Sequence, residues 1–228
     1  MIQVKAVGFD ASEKIIPTPD HMFHRRQHLA FPGDRMQDVH RVVEGWLARY
    51  VRLPSGQRQI TGIYLPGDFC EPQWVIDPVS PEWIVALSPA RTAAYPLEMI
   101  LPNGAEETEA SREVLADLIR LLGRQSLMVV SLGRKSGLER LSSVLIDLYD
   151  RLEKIGAKEG SVAMPLTQGD LADMVGLTPI HVNRILKELR EHNVLEVNRG
   201  AVAVSDPEML RFVSLHGYIG SARQTDGA

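Results

Sequence analysis

His181, Asn183, Arg184, Lys187 and Arg190 follow one another at short intervals with aliphatic residues between them, and Arg199 lies a little further on. These are the donors and cations that nucleic acids attract. An arginine fork matches O6 and N7 of guanine, and an asparagine amide can address adenine. Arg184 and Asn183 are therefore candidate base readers, and His181 could reach a base or a phosphate. Lys187, Arg190 and Arg199 fit phosphate contacts, which position a protein without specifying sequence. The plain alternative for any one of them is a solvated surface charge.

Helical geometry groups these residues. On a helix from Thr178 to Arg190, Val182, Ile185, Leu186 and Leu189 fall at i, i+3, i+4 and i+7 and make a buried stripe. Thr178, Pro179, Ile180, His181, Asn183, Arg184 and Lys187 remain for DNA, with Arg199 added from a following loop. Thr178 is an N-cap and Pro179 occupies the first helical position, where a missing N–H costs nothing. Upstream, Thr167 and Asp170 form a variant capping box, and Gly176 falls where the chain must turn with φ > 0. Ala172 is small where the second helix crosses closely. An ordinary helical hairpin does not require these offsets; a helix-turn-helix does. Val194–Val197 and Ala201–Val204 around Asn198-Arg199-Gly200 then read as a β-hairpin, which makes the motif a winged helix.

The rest of the chain sets bounds. Its 228 residues suit one large or two modest domains, and the 44% hydrophobic content is that of a globular chain. A formal charge of −4 supplies no overall basic field, so recognition must come from local geometry and dimeric pairing. Met1-Ile2-Gln3-Val4-Lys5 opens no apolar signal segment and no run reaches membrane-spanning length, so a cytoplasmic protein without membrane contact is expected. Cys70 stands alone, which rules out an intrachain disulfide or a four-cysteine cluster. A redox role for it is disfavoured by neighbouring carboxylates, which raise a thiol pKa. His21, His24 and His28 could share a helix face, but no carboxylate or cysteine is in register, and no metal or other cofactor is expected. No nucleophile–base constellation or phosphate loop is present, and an enzyme is not expected.

From about Gln27 to Pro96, short apolar runs alternate with turns such as Phe31-Pro32-Gly33-Asp34 and Leu65-Pro66-Gly67-Asp68, the pattern of a roll or sandwich. Residues 1–20 are weakly patterned. Glu107 to Leu132 is proline-free and helical, with Val114, Leu118, Leu121, Gln125, Met128 and Leu132 forming a heptad-like seam. A second stripe, Leu115, Ile119, Leu122, Ser126 and Val129, lies beside it. The first is read as the dimer seam, with Gln125 fixing register; the alternative is that both are core. Gly133 to Gly137 is read as a break and hinge before a helix from Leu138 to Ile155.

Gly33-Asp34, Glu44-Gly45-Trp46, the Leu53–Ile60 hairpin and Leu65-Pro66-Gly67-Asp68-Phe69 resemble the cyclic-nucleotide-binding-like domain of Crp/Fnr-type bacterial transcription regulators. Leu132–Ser136 with Glu139-Arg140-Leu141 resembles that family's hinge, and the helix-turn-helix completes the likeness over about residues 22–215. The resemblance implies an α+β fold: a β-roll sensor over 22–106, a dimerisation helix over 107–133 and a winged helix-turn-helix over 136–209. It also implies a homodimer on a palindromic double-stranded promoter site that contacts RNA polymerase. Where cyclic-AMP-binding members carry a glycine-glutamate pair, Glu71-Pro72 stands here, and Ser80-Pro81-Glu82-Trp83 offers no cation for a phosphate. Arg91 fits a following strand. Cyclic AMP is therefore not expected, the effector is left unknown, and oxygen sensing by an iron–sulfur centre is not expected. Two other classes stay open: a ligand-binding signalling module whose winged helix contacts proteins, and an architectural DNA binder without specificity.

Overall fold

Strands of two to seven residues, cut by Pro-Gly-Asp turns, build the amino-terminal half. The computed structural model describes residues 18–100, 108–156, 163–198 and 201–219. Its strands are β1 (Thr18–Phe23), β2 (His28–Ala30), β3 (Asp38–Glu44), β4 (Leu47–Arg52), β5 (Arg58–Tyr64), β6 (Phe69–Cys70), β7 (Trp83–Ala86) and β8 (Ala90–Pro96). They pair into two antiparallel sheets, ordered β1-β8-β3-β6 and β2-β7-β4-β5. Gly45 makes the turn between β3 and β4 at φ 77°, where a Cβ would meet the Pro89 carbonyl at 2.1 Å. No other residue fits both the angle and the approach.

Leu47, Tyr64, Trp74, Ile84 and Ala86 fill the space inside the roll. On the opposite face of the second sheet, Trp46, Ala48, Tyr50, Ile60 and Ile63 join a core shared with the carboxyl-terminal half. Between the halves run the short α1 (Leu97–Ile100), the long α2 (Glu109–Arg134) and α3 (Gly137–Lys154). Both long helices begin with capping boxes, Thr108 with Ser111 and Ser136 with Glu139. The carboxyl-terminal unit adds β9 (Ala163–Met164), α4 (Gln168–Val175), α5 (Pro179–Glu191), β10 (Leu195–Asn198), β11 (Ala201–Val204) and α6 (Pro207–His216). The hairpin β10–β11 is the wing, and β9 pairs with β11 as a third strand that the sequence did not announce.

Several sequence expectations change. Val114 and Leu121 are buried within the chain, so they cannot form an interchain seam. Val114 packs with Val39, Phe69 and Ile100. The physical reason is a buried polar contact: Asp117 on the same face accepts the Phe69 N–H at 2.8 Å and fixes the rotation of α2. Leu118, Gln125, Met128 and Leu132 are half-buried on that side, the last three lining a cleft of about 370 Å³ against β5 and α3. The second stripe is the exposed one, with Leu115, Ile119, Leu122 and Val129 all more than half accessible. The exposed stripe of α2 is therefore the second one and not the first.

The break is shorter than expected: α2 continues through Gly133 and Arg134, and only Lys135 and Ser136 separate it from α3. Lys135 Nζ donates to Ser143 Oγ at 2.7 Å and to the Ser214 carbonyl at 3.1 Å, which pins the junction. His21 lies in β1, His24 in the turn and His28 in β2, so they share no helix face. Among the described residues no group of three His, Cys, Asp or Glu is placed to hold a metal.

Candidate nucleic-acid interface

Two capped helices and a glycine turn carry the reading face. Thr167 Oγ1 accepts the Asp170 N–H at 3.1 Å, and the Asp170 carboxylate returns to the Thr167 N–H and hydroxyl. Gly176 closes α4 at φ 65°, a left-handed conformation that lets the chain turn into α5. Thr178 Oγ1 caps α5 by accepting the His181 N–H at 3.2 Å, with Pro179 at the first position. Val182, Ile185, Leu186 and Leu189 are buried, and Ala172 is buried where the helices cross.

The opposite face of α5 is open. Ile180 is 84% accessible, and Thr178, Pro179, Asn183, Arg184, Lys187 and Arg190 are exposed, while His181 is half-buried. His181 Nε2 lies 3.0 Å from Arg184 Nη2. A guanidinium can only donate, so His181 Nε2 is the acceptor in this contact. Gln168 Nε2 donates to Asn183 Oδ1 at 3.2 Å, bringing the first helix to the reader on the second. Lys187 pairs with Glu191 at 3.6 Å. Arg199 lies outside the described residues.

Gln168 was not singled out from sequence; its place at the first turn of α4, facing α5, is the signal that would have found it. Arg49 was missed as well: the Ser80–Trp83 segment carries no cation, but β4 places one inside the roll. It sits inward on β4, 3% exposed, and Nη1 donates to both carboxylate oxygens of Glu71 at 3.2 and 3.3 Å. Glu82 approaches Arg49 at 3.4 Å and accepts the Thr61 hydroxyl at 2.5 Å. The Tyr64 hydroxyl and Gln73 amide also donate to Glu71. Burial is the main influence on Glu71 and pushes its carboxyl up, against the downward pull of Arg49 and Tyr64. Cys70, next in sequence, is fully buried, and burial followed by Glu71 holds its thiol well above the ordinary range. An arginine at an inward strand position is a legible sign of a buried partner, but its partner on a distant turn is not.

Comparison with known proteins bears on both halves. Residues 139–213 match the Crp-like helix-turn-helix domain, and residues 21–101 match the cyclic nucleotide-binding domain. The nitrogen fixation regulation protein FixK of Bradyrhizobium diazoefficiens is 30% identical over 175 residues, covering 76% of this chain and 73% of that protein. The fumarate and nitrate reduction regulatory protein of Yersinia pestis is 21% identical over 210 residues, covering 90% of this chain and 84% of its own length. In fold, FixK2 from Bradyrhizobium japonicum superposes with a TM-score of 0.76 at 22% identity, covering 86% of this chain and 96% of that one. With its capped helix-turn-helix, wing and β-roll, the chain belongs to the Crp/Fnr family and is a DNA-binding transcription regulator of that type.

Proposed function

We propose that this regulator acts as a homodimer that reads a palindromic promoter duplex through α5. The observation that carries the reading is the outward face of that helix, where Ile180, Asn183 and Arg184 stand exposed opposite a fully buried stripe. Arg184 addresses guanine and Asn183 a neighbouring base, while Ile180 offers apolar contact to a thymine methyl. Thr178 and Pro179 place the helix end, and His181, Lys187 and the wing's Arg199 meet phosphate. The functional units are a sensor over residues 22–106, a dimerisation helix over 107–133 and a DNA-binding domain over 136–209. Matches over 21–101 and 139–213 support that division.

The dimer seam we propose is the exposed stripe Leu115, Ile119, Leu122 and Val129. An apolar strip of this length calls for a partner, and an identical helix satisfies it at the spacing of a coiled coil. The sensor does not take cyclic AMP, because Arg49 is already neutralised by the chain's own carboxylates. We read the protein as a non-enzymatic cytoplasmic factor that contacts RNA polymerase; no helix among the described residues is long and apolar enough to cross a membrane.

Binding titrations on a duplex selected from a random pool and on a scrambled control, at several salt concentrations, test the reading. Preference for the selected duplex is expected, with affinity falling steeply as salt rises. Equal affinity for both duplexes would favour an architectural role, and absence of salt-dependent DNA binding would favour a protein-contact module. For the dimer, Ile119→Glu with Leu122→Glu should give monomers in sedimentation equilibrium, since like charges would face each other across the seam. An unchanged dimer would move the seam elsewhere.

A further inference from the structure

The tip of the β4–β5 hairpin reaches from the sensor to the first helix of the helix-turn-helix. Arg58, the first residue of β5, spans two carboxylates on α4: Nε donates to Asp173 Oδ2 at 2.6 Å and Nη2 to Asp170 Oδ1 at 2.7 Å. Its guanidinium also lies over the Tyr50 ring, 5.3 Å from the centroid. Arg25, in the turn after β1, stands 3.5 Å from Asp170 Oδ2. Gln59 Nε2 donates to the Met174 carbonyl at 3.2 Å, near the end of the same helix. Asp170 and Asp173 are the only acidic residues of α4, and both are engaged by Arg58. All these contacts land on α4, while Asn183 and Arg184 on α5 remain exposed.

We infer that Arg58 is a positioning residue for DNA binding: its fork on Asp170 and Asp173 ties the sensor's β4–β5 hairpin to α4 and holds α5 outward for the duplex. This rests on the reading of α5 as the DNA-contacting helix. A single guanidinium bridging two carboxylates fixes orientation as well as distance, which a lysine's point charge cannot do. Asp170 serves twice, since it also completes the capping box of α4. Displacing α4 from the hairpin therefore separates charges while leaving the cap intact. A head held in place before it meets DNA loses less freedom on binding than one that swings on the Lys135–Ser136 junction.

The test compares full-length variants by fluorescence anisotropy on the pool-selected duplex, with hydrogen exchange of α4 and the hairpin measured on the free protein. Arg58→Met keeps an unbranched apolar stem but removes the guanidinium, and with it the fork and the Tyr50 ring contact; it should weaken DNA binding about tenfold and accelerate exchange in α4. Arg58→Asp with Asp173→Arg exchanges the charges and should recover most of the affinity, as loss of a phosphate contact or of general positive field would not. Arg52→Gln removes the same charge from the neighbouring strand and should change affinity by less than about twofold. Unchanged or tighter binding by Arg58→Met would overturn the inference, as would failure of the exchanged pair to recover affinity. If no variant and not even the unaltered protein bound any duplex, the reading of α5 would fail. Hydrogen exchange would then decide the tie on its own: unchanged protection in Arg58→Met would refute it.

Discussion

Arg49 and Arg184 show the same side chain put to opposite uses. Inside the β-roll, Arg49 is 3% exposed and held by Glu71, Glu82 and Thr61. On α5, Arg184 is exposed and its side chain touches the His181 ring rather than a carboxylate. A buried charge must find its counterion within the chain, since desolvation costs several kcal/mol per ion. A charge on a binding surface is useful only while it lacks one. The difference shows two environments for one side chain: a counterion inside the β-roll, and an open face on α5.

The sharpest way to break the comparison is to remove one member of the buried pair. Arg49→Ala should cost about 3–5 kcal/mol in urea unfolding, because Glu71 is then a buried carboxylate without a cation. Replacing both, as Arg49→Met with Glu71→Leu, should cost far less, since no uncompensated charge remains. If Arg49→Ala were as stable as the double variant, Glu71 would already be protonated and the pair would not be ionic.

An interior histidine extends the comparison to a charge that the roll refuses. His40 is buried in β3, bonded to Thr92 Oγ1 at 3.0 Å, and burial followed by the nearby His21 lowers its pKa to about 4. Below about pH 6.5 the unfolded chain takes up a proton that the folded chain refuses until about pH 4. Stability should therefore be full above pH 6.5 and decline by about 3 kcal/mol as the pH falls through that window, at 1.36 kcal/mol per unit. His40→Asn should flatten the decline. A profile unchanged by that substitution would place the titrating group elsewhere.

How much of this was legible depends on what kind of contact fixes each part. The helix-turn-helix was readable to the residue, because Thr167, Gly176, Thr178 and Pro179 act through local geometry that the sequence carries in full. The strand–turn rhythm of the roll was readable for the same reason. The face of α2 was not: both stripes satisfy the same periodicity, and the choice is made by Asp117 on the distant Phe69 N–H. Arg49 with Glu71 and Arg58 with Asp173 were hidden likewise, since the partners lie 22 and 115 residues apart. Periodicity reports that a face is buried, not what buries it.

On the DNA face, Arg184→Ala should leave stability within about 0.5 kcal/mol, as expected of an exposed side chain. Binding to the selected duplex should weaken by about 1–3 kcal/mol, with preference relaxed at one base in each half-site. Arg199→Ala should instead weaken selected and scrambled duplexes by similar factors and reduce the salt dependence. If Arg184→Ala weakened both duplexes equally while Arg199→Ala altered base preference, α5 would dock differently from this proposal.

The smallest expected effect belongs to cyclic AMP. A ligand present at a hundred times its Kd adds about 2.7 kcal/mol to stability, which in a chain of this size raises the melting temperature by several degrees. Here the cyclic phosphate would have to displace Glu71 from Arg49, and the displaced carboxylate is fully buried with Tyr64 and Gln73 also donating to it. Opening that network leaves a carboxylate stranded in the roll interior, a cost of the same order as the gain from any phosphate contact. The melting temperature should therefore stay flat as cyclic AMP is raised to millimolar levels. A saturable rise at micromolar concentration would mean that Glu71 swings out of the roll on binding, and that the interior resembles the DNA face in keeping a charge for a partner. Repeating the titration with Glu71→Gln distinguishes a weak site from an absent one: if the Arg49–Glu71 pair alone excludes the nucleotide, weakening the pair should bring the rise into view.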